Sequence, residues 1–229
     1  IRDGYGQTET TALVGTMPGE EVVPGAMGRP LPGVDALLVD PLTGEETDEG
    51  EVCLRLDPHP VNLMPGYFGD PEATAKAMRG GLFHTGDVAQ RGEGGVLTFV
   101  GRTDDIFKSS DFKVSPFEVE SALLEHELVA EAAVVGAPDE TRLNVTKAYV
   151  ALSAGAEPGE QTARAILAHA RVAMPAYMRV RRVEFFALPK TASGKIRRVE
   201  LRQREVAAFD AGERIASEWR EADFPGLKG

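Results

Sequence analysis

The spacing of hydrophobic and polar residues divides the chain into two parts. Before Gly101 the apolar runs are short and are separated by turn residues, a pattern typical of strands. Asp35–Asp40 and Glu51–Leu56 are predicted to be neighbouring strands. The run DVAQRGEGGVLTFVGR is predicted to form a hairpin around Gly92–Gly95. The first part is therefore predicted to be rich in β-structure.

One short helix is predicted among these strands, in the sequence DPEATAKAMRG. Asp70 is suited to its N-cap and Pro71 to its first helical position. Gly80 or Gly81 is predicted to end it, because glycine commonly follows the last helical turn.

Longer helices alternate with strands in the second part. Ser115 and Glu118 have the spacing of a capping box around Pro116, and Val119 and Leu123 fall on one face of the helix that follows. Buried strands are predicted in AEAAVVGAP and AYVALSAG, a third strand in RRVEFFALP, and a further helix in EQTARAILAHARVAM.

The last predicted helix is GKIRRVELRQREVAAF, with Ile196, Val199 and Val206 partly inward. A surface helix and tail are predicted to follow it as far as Lys228 and Gly229. The helices and strands together predict an α+β fold, with a domain boundary in Arg102–Asp105.

The amino-acid composition argues against several classes of function. A formal net charge of -11 argues against binding to nucleic acid or to an anionic membrane, since both need a basic surface. No apolar run approaches the roughly 20 residues that span a bilayer, and no signal peptide is evident. A single cysteine, Cys53, excludes an internal disulfide and a zinc cluster built from cysteines, and it suits a reducing cytosol.

Catalytic motifs of hydrolases are not found. The four histidines are His59, His84, His126 and His169, and their spacing does not match that of metal ligands. There is no Gly-x-Ser-x-Gly motif. We expect neither a metal-dependent nor a serine hydrolase.

Three polar motifs are each compatible with a nucleotide site, but read singly they are more typical of ordinary turns, loop caps or a solvated linker. In DGYGQTE, glycines allow a ligand to approach the backbone, Tyr5 can stack on a base, Thr8 can bond a phosphate and Glu9 suits Mg²⁺. In FHTGD, Asp87 can accept both hydroxyls of a ribose. In GRTDDIFKSSDFKVSP, mixed charges are typical either of a solvated linker or of a hinge.

A basic run lies between Arg179 and Arg204, in an otherwise acidic chain. Within it, TASGKIRR places Lys195 after Ser-Gly and before a predicted helix. The stretch lacks the first glycine of a P-loop, so we reject that motif. The run is interpreted either as a site for a polyphosphate or as a solvated helix face.

In order and spacing, eight motifs resemble the C-terminal part of the AMP-forming acyl-CoA synthetases, members of the adenylate-forming superfamily. They are YGQTE, GEVCLR, MPGYFGDPEAT, LFHTGDVA, FVGRTDDIFK, VSPFEVESALLEH, EAAVVGAPD and PKTASGKIRR. The resemblance extends from Asp3 to about Glu205. It implies that residues 1–103 are a β-rich remnant of the large N-terminal domain, part of a distorted barrel, and that residues 104–229 are a small, mobile α+β lid domain.

The resemblance implies a cytoplasmic ligase of fatty acid metabolism that uses ATP, Mg²⁺ and CoA. A carboxylic acid attacks the α-phosphate of ATP to give acyl-AMP and pyrophosphate. The small domain then rotates, and the CoA thiol attacks the acyl carbonyl.

The same resemblance implies roles for particular residues. Lys195 would be the adenylation lysine, Glu9 would hold Mg²⁺, and Asp104 would be the hinge. Ser110 and Asp111 would lie in the CoA region. The implied nucleotide-binding residues are Asp3, Gly4, Tyr5, Gly6, Gln7, Thr8, Asp87, Arg102 and Lys113.

Departures from the family pattern leave alternatives open. The family's phosphate loop has no counterpart in these residues and the chain begins without Met, so we expect a fragment that is inactive alone. The family commonly has glycine where Asp111 stands. This difference leaves open the alternative that the protein is an adenylation domain that loads a carrier protein. A noncatalytic interaction module is the third possibility. Acetate-specific relatives have tryptophan where Gly6 stands, which favours a medium-chain or aromatic acid here.

Overall fold

The computed structural model describes residues 2–41 and 43–227. The chain divides after Asp104 into two compact units, here called the first and the second unit. The mixed α and β composition that was predicted is confirmed.

The first unit consists of two antiparallel sheets and one short helix. Its sheets have the strand orders β1-β2-β3 and β4-β5-β6-β7. The elements are β1 Gly4–Gln7, β2 Thr11–Gly15, β3 Arg29–Pro30, β4 Ala36–Val39, β5 Glu49–Arg55, α1 Pro71–Ala77, β6 Leu82–Arg91 and β7 Leu97–Arg102. The described residues form open sheets and no closed barrel, so the barrel part of the prediction finds no support.

The core of the first unit lies mainly on one face of the four-stranded sheet. Leu38, Val52, Leu54, Phe83 and Leu97 are buried there with residues of β2. The predicted strand pair and the hairpin are both present, as β4–β5 and β6–β7.

The cap of α1 follows the prediction at its start. The Asp70 side chain accepts a hydrogen bond from the Ala73 amide at 2.9 Å, and Pro71 occupies the first turn. The helix ends at Ala77, before Gly80 and Gly81, so neither glycine is its cap.

The second unit packs helices on both faces of one mixed sheet. The sheet order is β10-β11-β12-β13, with β11 and β12 parallel and the other pairs antiparallel. Its elements are β8 Phe107–Ser109, β9 Phe112–Val114, α2 Pro116–Leu124, β10 Val129–Asp139, β11 Leu143–Leu152, α3 Glu160–Ala173, β12 Val180–Phe185, α4 Arg198–Asp210 and β13 Glu218–Arg220. The three predicted strands are β10, β11 and β12.

The two faces of this sheet have separate apolar cores. On one face, residues such as Val134 and Val150 pack with Leu123 of α2 and Ile166 of α3. On the other face a smaller cluster forms around Leu201 of α4, with Ala133, Val135 and Tyr149. Alternation along each strand sends neighbouring side chains to opposite faces, which is why one sheet supports both cores.

Two expectations for the C-terminal third are wrong. Helix α4 begins at Arg198, not at Gly194, and its inward residues are Leu201 and Glu205. Val199 and Val206 are exposed, and of the three residues predicted to be partly inward only Ile196 packs on a core.

The second wrong expectation is the surface helix predicted to follow α4. That stretch supplies β13 to the sheet, and Phe224 and Leu227 are buried in the larger core. The predicted tail residues Lys228 and Gly229 lie outside the described residues. Among the described residues, no helix has the length and apolarity needed to cross a membrane.

Candidate nucleotide and lysine sites

The loop after β1 is held in a tight conformation by its own residues. Thr10 is fully buried, and its Oγ1 accepts a hydrogen bond from the Gln7 amide at 3.2 Å. Thr11 has a positive φ of 54°, and its carbonyl oxygen lies 1.9 Å from the position of a Cβ added to Gly6. Gly6 is therefore required by the backbone of this loop. The glycine at position 6 is therefore explained by the close approach of Thr11, and it gives no information about the size of the acid substrate.

Side chains of two strands, β1 and β7, converge on Asp87, a buried residue of β6. Tyr5 Oη donates to Asp87 Oδ2 at 2.7 Å, and Gln7 Nε2 donates to the same oxygen at 2.5 Å. Arg102 Nη1 donates to Asp87 Oδ1 at 3.1 Å. Asp87 and Arg102 are paired across β6 and β7, so the sheet register places the cation beside the carboxylate. Tyr5, Gln7, Asp87 and Arg102 thus form one polar cluster.

Tyr5 is held in its protonated form in this cluster. Burial raises the pKa of Tyr5 well above its usual value, and the negative charge of Asp87 raises it further. The phenol is therefore a hydrogen-bond donor to Asp87 at neutral pH.

The remaining predicted residues of this segment lie at its edges. Asp3 and Gly4 are exposed at the start of β1, and Thr8 is exposed in the loop. Glu9 is half-buried, and its Oε1 accepts a hydrogen bond from Tyr67 Oη at 3.1 Å. Glu9 thus presents a carboxylate at the loop, the kind of hard oxygen ligand that Mg²⁺ prefers.

In the second unit, a short hairpin carries three of the predicted residues. Ser110 and Asp111 form the turn between β8 and β9, and Lys113 is exposed on β9 opposite Lys108. Ser110, not Asp111, has the positive φ, of 54°. The backbone therefore does not require glycine at position 111, and Asp111 differs from glycine there only in bulk and charge.

Lys195 lies in a turn before α4 and is exposed. The Thr191 amide donates to the Lys195 carbonyl oxygen at 2.8 Å, and the Lys195 amide donates to Thr191 Oγ1 at 3.1 Å. Gly194 has a φ of +85°, a conformation that L-residues rarely adopt, which explains the glycine before the lysine. Within the described part of the chain, the structure shows no ion pair for the Lys195 amine.

Most other cations of the basic run have carboxylate partners. The pairs are Arg181 with Glu221, Arg182 with Asp139, Lys190 with Glu131, Arg197 with Glu200, Arg198 with Glu120, Arg202 with Asp105, and Arg204 with Glu184. The interpretation of the whole run as a polyphosphate site is therefore not supported, and Lys195 differs from these paired cations in having no ion pair among the described residues.

Asp104 and Asp105, which lie on either side of the division between the units, each contact an arginine of their own unit. Arg102 Nε donates to Asp104 Oδ1 at 3.2 Å within the first unit. Arg202 Nη1 contacts Asp105 Oδ1 at 2.5 Å within the second unit, and Arg198 lies 3.6 Å from the other oxygen of Asp105. Each side of the Asp104–Asp105 peptide is thus fixed to its own unit.

One cluster was missed by the sequence analysis. Glu51, Cys53 and His84 bring a carboxylate, a thiol and an imidazole together on β5 and β6. The spacing of the histidines gives no sign of it, because strand pairing, not local sequence, brings His84 to Cys53.

Two family models match the chain. The AMP-binding enzyme model matches residues 1–68, and the model of the AMP-binding enzyme C-terminal domain matches residues 118–195. Together with the relatives that follow, these matches show that the chain belongs to the adenylate-forming AMP-binding enzymes, the family of the acyl-CoA synthetases.

Particular relatives refine this comparison. The chain is 48% identical over 217 residues to 4-hydroxybutyrate–CoA ligase 1 of Metallosphaera sedula, which covers 93% of the chain and 38% of that protein. It is similar to the crystal structure of the anthranilate CoA ligase AuaEII in complex with anthranoyl-AMP, with a TM-score of 0.81, 37% identity, and 91% and 40% coverage of the two chains. ATP-bound MatB from Rhodopseudomonas palustris gives a TM-score of 0.77, 31% identity, and 89% and 40% coverage. The chain therefore spans about two fifths of the length of these relatives.

Proposed function

We propose that the full-length protein is an AMP-forming acid–thiol ligase, which activates a carboxylic acid as acyl-AMP and transfers the acyl group to CoA. The observation that carries the proposal is the convergence of Tyr5, Gln7 and Arg102 on Asp87. Relatives with a third to a half of their residues identical, named as CoA ligases or solved with an acyl-adenylate, support it. In this proposal the first unit is the C-terminal portion of the large domain, and the second unit is the small mobile domain.

Asp87 is proposed to hold the ribose of the nucleotide. An ionised carboxylate has about four lone-pair positions, and three of them are used by Tyr5, Gln7 and Arg102. The remaining capacity, and the exchange of one internal donor for a ligand hydroxyl, allow Asp87 to accept from a sugar. Arg102 keeps this carboxylate oriented. Asp3, Gly4, Gly6 and Thr8 line the same loop, with Thr8 exposed to a phosphate oxygen, and Lys113 is proposed to face ATP.

Lys195 is proposed to act in adenylation. The attacking carboxylate and the α-phosphate are both anionic, and negative charge on the phosphate oxygens grows in the transition state. An ammonium group directed at these oxygens stabilises that charge more in the transition state than in the ground state. Lysine suits the role because it is a compact charge on a flexible stem, and its amine is not engaged in an ion pair of the described residues.

Glu9 is the proposed protein ligand of Mg²⁺, and its half-buried carboxylate has the hard oxygens that this ion binds. When bound, Mg²⁺ supplies charge neutralisation on the phosphates. Asp104 is the proposed hinge, supported by the anchoring of Asp104 and Asp105 to different arginines. Rotation about that peptide is expected to leave both anchors intact.

The acyl acceptor is proposed to be CoA, with Ser110 and Asp111 in its path. A carrier protein is the second candidate, favoured by the charge of Asp111 in the exposed hairpin turn. Supplying CoA and a phosphopantetheinylated carrier protein in parallel distinguishes the two acceptors. Asp111→Gly is expected to improve CoA use several-fold if the aspartate hinders it.

The substrate is proposed to be a medium-chain or aromatic carboxylic acid, and the process to be fatty acid metabolism. A relative is named for 4-hydroxybutyrate and another for anthranilate, and these names indicate the range of acids to test. A cytoplasmic location is proposed, supported by the single, buried free cysteine.

The decisive experiment is acid-dependent exchange of pyrophosphate into ATP by the full-length protein, followed by CoA-dependent release of AMP. Exchange with at least one acid of the panel is expected. Exchange with none of the acids, by a protein that is folded and binds ATP, would contradict the proposal.

A further inference from the structure

The cluster of Glu51, Cys53 and His84 has the geometry of a metal site that the proposed reaction does not use. Cys53 and His84 are directly opposite each other in the β5–β6 register, and Glu51 precedes Cys53 by two residues on the same strand. Cys53 Sγ lies 3.5 Å from His84 Nδ1, and Glu51 Oε2 lies 2.8 Å from the same nitrogen. All three donor atoms lie within 4.8 Å of one another.

The sulfur–nitrogen distance agrees with tetrahedral zinc. With Zn–S and Zn–N bonds of about 2.3 and 2.0 Å at a tetrahedral angle, the sulfur and the nitrogen are about 3.5 Å apart. The cysteine and histidine atoms already have this separation. The carboxylate oxygen needs to move outward by about 0.5 Å, since a tetrahedral N–O separation is about 3.3 Å.

The donor types select the class of metal. A thiol, an imidazole and a carboxylate are the ligands of Zn²⁺ and of similar transition ions, whereas Mg²⁺ and Ca²⁺ take oxygen ligands. Cys53 is fully buried and Glu51 nearly so, and both lie on strands, which hold ligands more rigidly than loops do. We propose that Glu51, Cys53 and His84 bind one Zn²⁺, with a water molecule as the fourth ligand.

Without a metal, the carboxylate of this cluster forms an ion pair with Arg79. Arg79 Nη2 lies 3.7 Å from Glu51 Oε2, beyond hydrogen-bond distance, and its side chain is half exposed. This guanidinium can turn into solvent when a divalent cation binds. Cys53 gives up its proton to solvent on binding, because the thiolate is the ligand form.

The site is connected to the polar cluster at Asp87 by one hydrogen bond. Glu51 Oε1 accepts from the Gly86 amide at 2.8 Å, and Gly86 directly precedes Asp87. A metal bound to Oε2 therefore fixes the carboxylate that holds this turn.

The test uses the full-length protein freed of metal and titrated with Co²⁺, whose thiolate complexes absorb in the near ultraviolet. One equivalent of a thiolate-to-cobalt band is expected, displaced by Zn²⁺. Cys53→Ser should abolish the band, and His84→Gln should weaken zinc binding by more than about 100-fold. His59→Gln, at an exposed histidine outside the cluster, is the matched control and should bind as the parent does.

A second readout covers variants that fold poorly. In the unmodified protein, zinc should slow alkylation of Cys53, measured on the peptide that contains it, by at least about tenfold. The proposal is overturned if no cobalt–thiolate band forms, if Cys53→Ser binds zinc as tightly as the parent, or if zinc leaves the alkylation rate unchanged. None of these readouts depends on ligase activity, so failure here is distinguishable from failure of the proposed function.

Discussion

Two lysines of the second unit have opposite environments. Lys147 of β11 is completely buried, and its Nζ lies 2.6–3.0 Å from carboxylate oxygens of Glu184, Glu205 and Glu218. Lys195 is exposed on a hydrogen-bonded turn, and no ion pair of its amine is found among the described residues. The backbone is hydrogen-bonded in both places, but only the Lys147 ammonium group forms ion pairs that hold the fold together.

The buried lysine is one half of a balanced charge cluster. Arg204 pairs with Glu184 at 2.6 Å and Arg220 with Glu218 at 2.6 Å, so three cations face three carboxylates. These residues come from β11, β12, α4 and β13, and the cluster joins the C-terminal strand to the sheet. A buried ammonium needs such partners, because its desolvation costs several kcal/mol. An ammonium group that is held by buried carboxylates cannot also contact a substrate. A catalytic lysine therefore has to lie outside such a cluster.

The largest effect is expected from breaking the buried cluster. Lys147→Met removes one cation and leaves a net negative charge on three buried carboxylates. The free energy of unfolding should fall by about 3–5 kcal/mol. Hydrogen exchange of the β11 and β12 amides in the full-length protein measures the loss. Lys76→Met, at an exposed residue of α1, is the control and should change it by less than about 0.5 kcal/mol. Equal losses in the two variants would mean that the buried ion pairs contribute nothing.

Lys195→Ala should affect catalysis and leave stability unchanged. The adenylation half-reaction is expected to slow by about 10²–10³-fold, about 3–4 kcal/mol of barrier, while thioester formation from supplied acyl-AMP slows much less. Pyrophosphate exchange and single-turnover thioester formation measure the two steps. Lys190→Ala, in the same loop but paired with Glu131, is the matched control. A similar loss in both half-reactions would contradict a role confined to adenylation.

The sequence analysis singled out Lys195 as a functional residue but not Lys147, and this difference has a physical reason. Lys195 could be found because its loop is local, and Thr191, Gly194 and Lys195 bond within a few residues of one another. Nothing local identifies Lys147, whose partners are distant in the chain and meet it only after the sheet forms. The same limit hid the pairing of Cys53 with His84.

The errors of element prediction have a similar cause. Helix α4 was predicted to begin at Gly194, because the helical pattern continues back through Ile196. The isolated bridge between Lys190 and Ile196 holds that stretch in a turn instead. The last segment was predicted to be a surface helix, but Trp219 pairs with Val183, and this pairing makes that part of it a strand. Tertiary contacts override weak helical propensity at both places.

Acid should weaken the buried cluster through Glu184. Burial opposes ionisation of this carboxyl, but bonds from Arg204 and Ser217 and the charge of Lys147 outweigh it and lower its pKa to about 2. Its contribution to stability is therefore fully present above about pH 4.5 and is lost as the pH falls towards 2. The loss should be about 2–3 kcal/mol.

Urea unfolding followed by the fluorescence of Trp219, which is adjacent to Glu218, measures this dependence. Glu184→Gln should be less stable than the parent at pH 6, and the difference should shrink below pH 4.5 because the parent loses its ionised carboxylate there. Glu140→Gln, at an exposed residue, should keep the pH dependence of the parent. A difference between Glu184→Gln and the parent that stays constant from pH 6 to pH 2 would show that Glu184 does not titrate in this range.

The smallest effect concerns the turn that holds the exposed lysine. Gly194 has a φ of +85° and nothing within 4 Å of an added Cβ, so Gly194→Ala adds backbone strain without a clash. That strain is about 1 kcal/mol, and it favours other conformations of the turn, so adenylation should slow about fivefold. Gly155→Ala is a close control, because Gly155 also has a φ of +85° and open space, but lies in a loop outside the proposed site. It should cost similar stability and leave adenylation unchanged. If both variants slowed adenylation equally, the conformation of the Lys195 turn would not be what limits the reaction.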